Sequence, residues 1–223
     1  MKLIKYKILS LLIFIIASHF SLALVGENLN EIYTMKKSDK NLNVFPEGMQ
    51  VATLGGGCFW CVEAIYEDIK GVESVVSGYS GGAKKNPSYQ EVCSGFSGHA
   101  EVIQITFDPQ VISFKDILEV FWEVHDPTTL NRQGADIGSQ YRSVIYYHSD
   151  EQKNIAEESK RQADASGLYK DPVVTEISEF KGFYEAEDYH QDYFNNNPNQ
   201  PYCSVIISPK VKKFKNKYKD QLK

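Results

Sequence analysis

Cysteine is scarce in this chain, with four residues, Cys58, Cys61, Cys93 and Cys203, in 223. That excludes a disulfide framework, which stitches short chains with small cores, and leaves one functional disulfide as the simplest use of the thiols. Only Cys58 and Cys61 have CxxC spacing, so a structural zinc module, which pairs two such knuckles, is disfavoured. No cysteine follows Cys203. Basic charge is also short: 24 Lys and Arg against 29 Asp and Glu give −5, which argues against nucleic acid as a partner. There is no internal repeat. The one long apolar run is Ile8 to Ile16, interrupted soon after by Ser18 and His19.

That run reads as a signal, not an anchor. Lys2, Lys5 and Lys7 precede it with no acid among them, and Ser21-Leu22-Ala23 supplies the small residues a signal peptidase needs. The run is too short to span a bilayer and has no charged stop on its far side. Residues 1–23 are therefore a signal peptide cut near Ala23, and with no cysteine close to the cut a lipid anchor is not expected. Without the three lysines, 21 basic residues face 29 acidic ones and the charge becomes −8. The expected location is exported, periplasmic or secreted, where disulfides persist. Residues 24–48, polar with few hydrophobics, read as a flexible lead-in, and 49–223 as a single catalytic domain with 42% hydrophobic content in the chain to build its core.

Periodicity within that domain predicts a strand at 50–55, a helix near 58–69 ending at Gly71, a strand at 72–78, a strand at 100–107, a helix at 113–124 capped by Ser113, and a strand at 143–147. The order β-α-β-β-α-β predicts an α+β, two-layer α/β sandwich with a ferredoxin-like (split β-α-β) core. A helix from Asp150 to about Ser166, a strand at 173–177 and an irregular C-terminal segment with a short helix near 186–194 complete the reading. In the last fifteen residues Val211, Phe214, Tyr218 and Leu222 form a narrow apolar stripe among seven lysines, which predicts a docked helix with a solvated charged face.

The chemistry concentrates at Gly55-Gly56-Gly57-Cys58-Phe59-Trp60-Cys61. Glycines permit a tight turn, and a cysteine at the following helix start meets unpaired N–H groups and the positive end of the helix dipole. Those favour thiolate, the nucleophilic form. The CxxC spacing leaves open a general thiol–disulfide oxidoreductase, although no facing cis-proline loop is identifiable. Three loops are dense in polar residues and lie at element ends, where sites assemble: 81–89, 93–101 and 125–142.

With these segments the chain resembles the A-type peptide methionine sulfoxide reductases, from about residue 50 to Cys203. Gly-Cys-Phe-Trp, Gly-Tyr-Ser-Gly-Gly, Asn-Pro-x-Tyr, Val-Cys-Ser-Gly, Gly-His-Ala-Glu, His-Asp-Pro, Gln-Tyr-Arg-Ser and Ala-Glu-Asp-Tyr-His-Gln carry the resemblance. It implies Cys58 as nucleophile on the sulfoxide sulfur and Glu101 as the acid that protonates the departing oxygen. Burial near Phe59 and Trp60 would raise the Glu101 pKa and keep that proton available.

The resemblance further implies Tyr89 and Tyr141 as donors to the sulfoxide oxygen, Asp136 as an orderer of that network through water, and Phe59 with Trp60 as the methyl pocket. It implies the S epimer, one reductase serving each epimer. The product on Cys58 is a sulfenic acid that a second thiol converts to a disulfide. Cys203 holds the family's resolving position, and Cys61 is the alternative. Cys93 is expected to be a packed, inert thiol. The expected enzyme is a monomer with no bound cofactor or metal, repairs oxidised exported proteins, and is recycled by a thioredoxin-like reductant.

Overall fold

In a computed structural model, residues 46–223 are described; the proposed signal peptide and all but the end of the lead-in lie outside them. A six-stranded sheet forms the centre, with four inner strands flanked by edge strands at Glu176–Glu179 and Phe183–Glu185. Its four inner strands are β1 (Gln50–Gly56), β2 (Val72–Ser80), β3 (Ala100–Phe107) and β6 (Ser143–Tyr147). The order β6-β1-β3-β2, with antiparallel neighbours throughout, is the expected split β-α-β core. Helices α1 (Phe59–Tyr66) and α3 (Phe114–Val124) are its crossovers.

Alternation along β3 explains why every residue of it is buried. Ile103, Ile105 and Phe107 join the main core with Phe59, Ile65 and Phe121, whereas Ala100 and Val102 face a second cluster completed by Val144, Tyr146, Phe180 and Phe183. Helix α3 starts at a capping box in which Ser113 and Asp116 satisfy each other's backbone N–H groups, worth about 1 kcal/mol. Its Trp122 indole donates to Ser159 Oγ of α4 (Asp150–Ala165) at 2.7 Å.

Elsewhere the boundaries move. Helix α1 stops at Tyr66, and Ile69 instead bridges to Leu222. The strand expected at 173–177 is β7 (Glu176–Glu179), parallel to β6; the backbone of Val174 instead donates to Pro127, and that of Thr175 accepts from Lys160. Another edge strand, β8 (Phe183–Glu185), pairs with β2. No single helix spans 186–194. A 3-10 turn (Asp188–His190) and the short α5 (Tyr193–Asn196) are separated by Asp192, whose φ of 50° no helix allows. Two small elements were not foreseen, α2 (Tyr89–Cys93) and the β4–β5 hairpin (Arg132–Gln133 with Asp136–Ile137). The C-terminal helix starts early, as a π-helical segment (Cys203–Ile207) running into α6 (Ser208–Lys217). Val211 and Phe214 are buried as expected, while Tyr218 and Leu222 fall beyond the helix end.

Candidate active site

Cys58 caps α1 where β1 ends, so the sheet fixes its position. The glycines before it are required by their neighbours. Gly57 has φ of 94°, and a Cβ there would lie 2.5 Å from Gln133 Cγ; a Cβ on Gly55 would lie 2.9 Å from the Glu101 carbonyl. The chain can thus bring β3 and the β4 hairpin against the turn that carries the thiol.

Glu101 lies on the helix side of β3, opposite Tyr79 in β2, and is 1% exposed. Its carboxyl accepts the Phe59 backbone N–H at 3.1 Å. Burial pushes its pKa up to about 8, Asp136 and Cys61 add to the rise, and the Phe59 N–H works against it. A carboxyl with that value carries a proton at neutral pH. The sequence expectation for Cys58 itself is reversed. Burial, reinforced by the adjoining Cys61 thiol and Glu101, pushes the Cys58 thiol well up, against the lowering influence of the Trp60 N–H. The physical reason is that Cys58 is only 8% exposed and the first N–H of the helix, that of Phe59, is engaged by Glu101.

Phe59 is 1% exposed and packs between Tyr79 and His190, whereas Trp60 is half-buried and open on one side. Trp60 is held on two sides: its ring stacks on Tyr193 at 3.7 Å and 7°, and its indole N–H donates to His190 Nδ1 at 3.2 Å. His190 is buried, and its Nε2 has no hydrogen-bond partner among the described residues; Glu187 Oε2 stands 3.9 Å away. Glu187 also accepts from the Tyr79 hydroxyl at 2.8 Å and from the Tyr89 backbone at 2.9 Å. One carboxylate therefore ties β2, α2 and the 187–190 turn behind the site. Tyr89 and Tyr141 are half-buried, and burial raises both phenols, so both remain O–H donors.

Asp136 is reached directly: the Tyr202 hydroxyl donates to its Oδ2 at 2.6 Å and stands 3.9 Å from Cys61 Sγ. All four cysteines are free. Cys61 follows Cys58 by three residues in the first turn of α1, and the Cys58 thiol beside it shifts its pKa downward. Cys203 is fully buried, and Cys61 is the thiol that raises its pKa after burial. Cys93 is not packed away but half-exposed at the end of α2. Sequence reasoning gave no role to Glu187, His190, Tyr193 or Tyr202, although three of them stand within or beside quoted motifs. Among the described residues no three His, Cys, Asp or Glu side chains converge as a metal site.

A buried thiol beside a protonated carboxyl and phenolic donors, with a second thiol in reach, defines a thiol-based oxidoreductase acting on a polar oxygen. The family model for peptide methionine sulfoxide reductase matches residues 50–222. The chain is 56% identical over 191 residues to the peptide methionine sulfoxide reductase MsrA of Polynucleobacter asymbioticus, covering 86% of this chain and 96% of the relative. It is 60% identical over 166 residues to that of Leptospira borgpetersenii, covering 74% and 93%. The structure resembles the reduced form of Mxr1 from Saccharomyces cerevisiae at a TM-score of 0.66 and 35% identity, over 74% of this chain and 94% of that one. This chain belongs to the peptide methionine sulfoxide reductase family.

Proposed function

We propose that this chain reduces the S epimer of methionine sulfoxide to methionine, protein-bound or free, with Cys58 as nucleophile and Glu101 as acid. The observation that carries this reading is the Glu101 carboxyl, buried beside Cys58 on the Phe59 N–H and protonated near neutrality. Cys58 sulfur attacks the sulfoxide sulfur and Glu101 gives its proton to the oxygen. As methionine departs, the oxygen ends on Cys58 as a sulfenic acid, and the thiol's proton resets Glu101. Substrate thiol ether and enzyme sulfenic acid account for every atom. A neutral thiol and a neutral acid at rest avoid any buried charge until the sulfoxide arrives. Tyr89 and Tyr141 donate to the oxygen, and Trp60, clamped by His190 and Tyr193, seats the methyl.

Cys203 then displaces hydroxide as water, closing a disulfide that an external thioredoxin-like dithiol reopens. A second reading is favoured by one observation: Cys61 already adjoins Cys58. Cys61 closes the first disulfide in that case, and Cys203 takes it over. Mass spectrometry of the Cys203→Ser protein after one turnover separates the two, since only the second reading gives a Cys58–Cys61 bridge at the normal rate.

The reductase reading is tested by incubating the mature protein with blocked methionine sulfoxide and dithiothreitol. Wild type yields methionine from the S epimer alone, and Cys58→Ser yields none; a retained activity in Cys58→Ser removes the nucleophile from this account. The enzyme is exported by its N-terminal signal, acts as a monomer without a resident cofactor, and repairs oxidised exported proteins. Its mature N-terminus is Leu24, checked by sequencing the exported protein.

A further inference from the structure

Charge is unevenly placed. The last fifteen residues hold seven lysines and one acid, Asp220, a net of +6, while the other 208 residues sum to −11. Most of that positive charge lies on α6, and α6 lies beside the sulfurs. It continues from the segment that carries Cys203. Between α1, α3 and α6 is a cavity of about 340 Å³. Its α1 wall is Ile65, one turn beyond Cys61 on the same helix face. Val124 and Phe214 give it an apolar lining, and Lys210, Lys213 and Lys217 bring cations to it. Lys210 also helps lower the Cys61 pKa. Lys215 and Lys217 are paired with Asp68 and Glu123, but among the described residues Lys210, Lys212 and Lys213 have no carboxylate partner.

We propose that this cavity and the lysines of α6 are the docking surface for the reductant, a dithiol protein with an acidic face that seats an apolar side chain in the cavity beside the half-buried Val124. The proposal rests on the reductase reading, in which each candidate disulfide includes Cys61, one turn from the cavity-lining Ile65, or Cys203, on the segment that continues into α6. A partner thiolate attacks one sulfur of the bridge, and the other enzyme sulfur leaves as thiolate and takes a proton. The partner's second thiolate then breaks the mixed disulfide, and the second enzyme thiol is regained. Two electrons and two protons pass to the enzyme, and the partner leaves as its own disulfide. Burial of the apolar stripe of α6 selects a protein over a lipid surface. An interfacial helix must offer its apolar face to the bilayer, and here Val211 and Phe214 are each 6% exposed.

The experiment measures methionine formation by wild type and by K212E/K213E, with an acidic thioredoxin recycled by its reductase and NADPH, and separately with dithiothreitol. The double variant is expected to raise KM for thioredoxin about tenfold, to abolish its dependence on salt, and to leave dithiothreitol turnover unchanged. An unchanged KM, or equal losses with both reductants, overturns the docking role. So does wild-type binding to phosphatidylglycerol vesicles that the variant loses while thioredoxin KM stays constant. No methionine in the wild-type dithiothreitol arm overturns the reductase reading beneath it.

Discussion

Two regions build this site, and they are made differently. Gly55 to Trp60 and Glu101 sit on the sheet and its first crossover, where strand pairing leaves little freedom: Leu54 must lie opposite Ile103, and Tyr79 opposite Glu101. Residues 187–203 form a wrap of single turns and short helices, held by side chains such as Glu187 and by Trp60 stacked on Tyr193. In the proposed reaction the sheet region carries the chemistry and both Cys58 and Cys61. The wrap shapes the space around them and brings Cys203. The proposed nucleophile and acid thus rest on the element with regular hydrogen bonds, and Cys203 on the one with fewer.

If that division holds, substitutions in the sheet region abolish chemistry and those in the wrap only misplace it. The largest effect is Cys58→Ser, with complete loss of methionine formation in the dithiothreitol assay. Next, Glu101→Gln lowers the reductase step by roughly 10²–10⁴-fold, read by single-turnover quench. The same variant speeds Cys58 alkylation at pH 8, because a carboxylate that raised the thiol is gone; peptide mapping checks this.

Glu101→Gln also shifts the pH dependence of stability. In the folded wild type the group titrates at about 8, above its ordinary 4.5, so its contribution is intact at pH 4 and lost progressively as pH rises to about 8. Relative to wild type, the variant therefore gains on the order of a few kcal/mol between pH 4 and pH 9, seen by urea denaturation.

In the wrap, His190→Ala frees the Trp60 indole and raises KM for the sulfoxide by about tenfold, with kcat changing less; equal losses in kcat would move His190 into the chemistry. The smallest effect is Tyr202→Phe. It removes the hydroxyl beside Cys61 and Asp136 that helps lower the Cys61 pKa, so the pH at which Cys61 alkylates moves upward while sulfoxide reduction changes by less than about threefold.

The comparison also marks what could be read in advance. Strands 100–107 and 143–147 and helix 113–124 were legible to the residue, because alternation, a Ser cap and an apolar stripe are local signals. The strand at 173–177 was displaced by three residues, since its β-branched residues are claimed by Pro127 and Lys160 and the pairing with β6 begins at Glu176. The helix expected at 186–194 fails at Asp192. Tyr202 and His190 stood in plain view beside named motifs, but their partners are 66 and 130 residues away in sequence.

The sequence alone determined the split β-α-β core, the glycine turn before Cys58 and, through the order of its motifs, the family. These are encoded by short-range periodicity and by residue types that few other arrangements tolerate. Tertiary structure decided the protonation of the site and the geometry of its thiols. Cys58 rests as a thiol because burial outweighs a helix terminus whose first N–H serves Glu101, and Glu101 holds a proton because the sheet and Phe59 exclude water from it. The position of Cys203, and the gathering of lysines on that flank, depend on where the C-terminal wrap closes. Contacts across more than a hundred residues set that closure, and no local pattern encodes them.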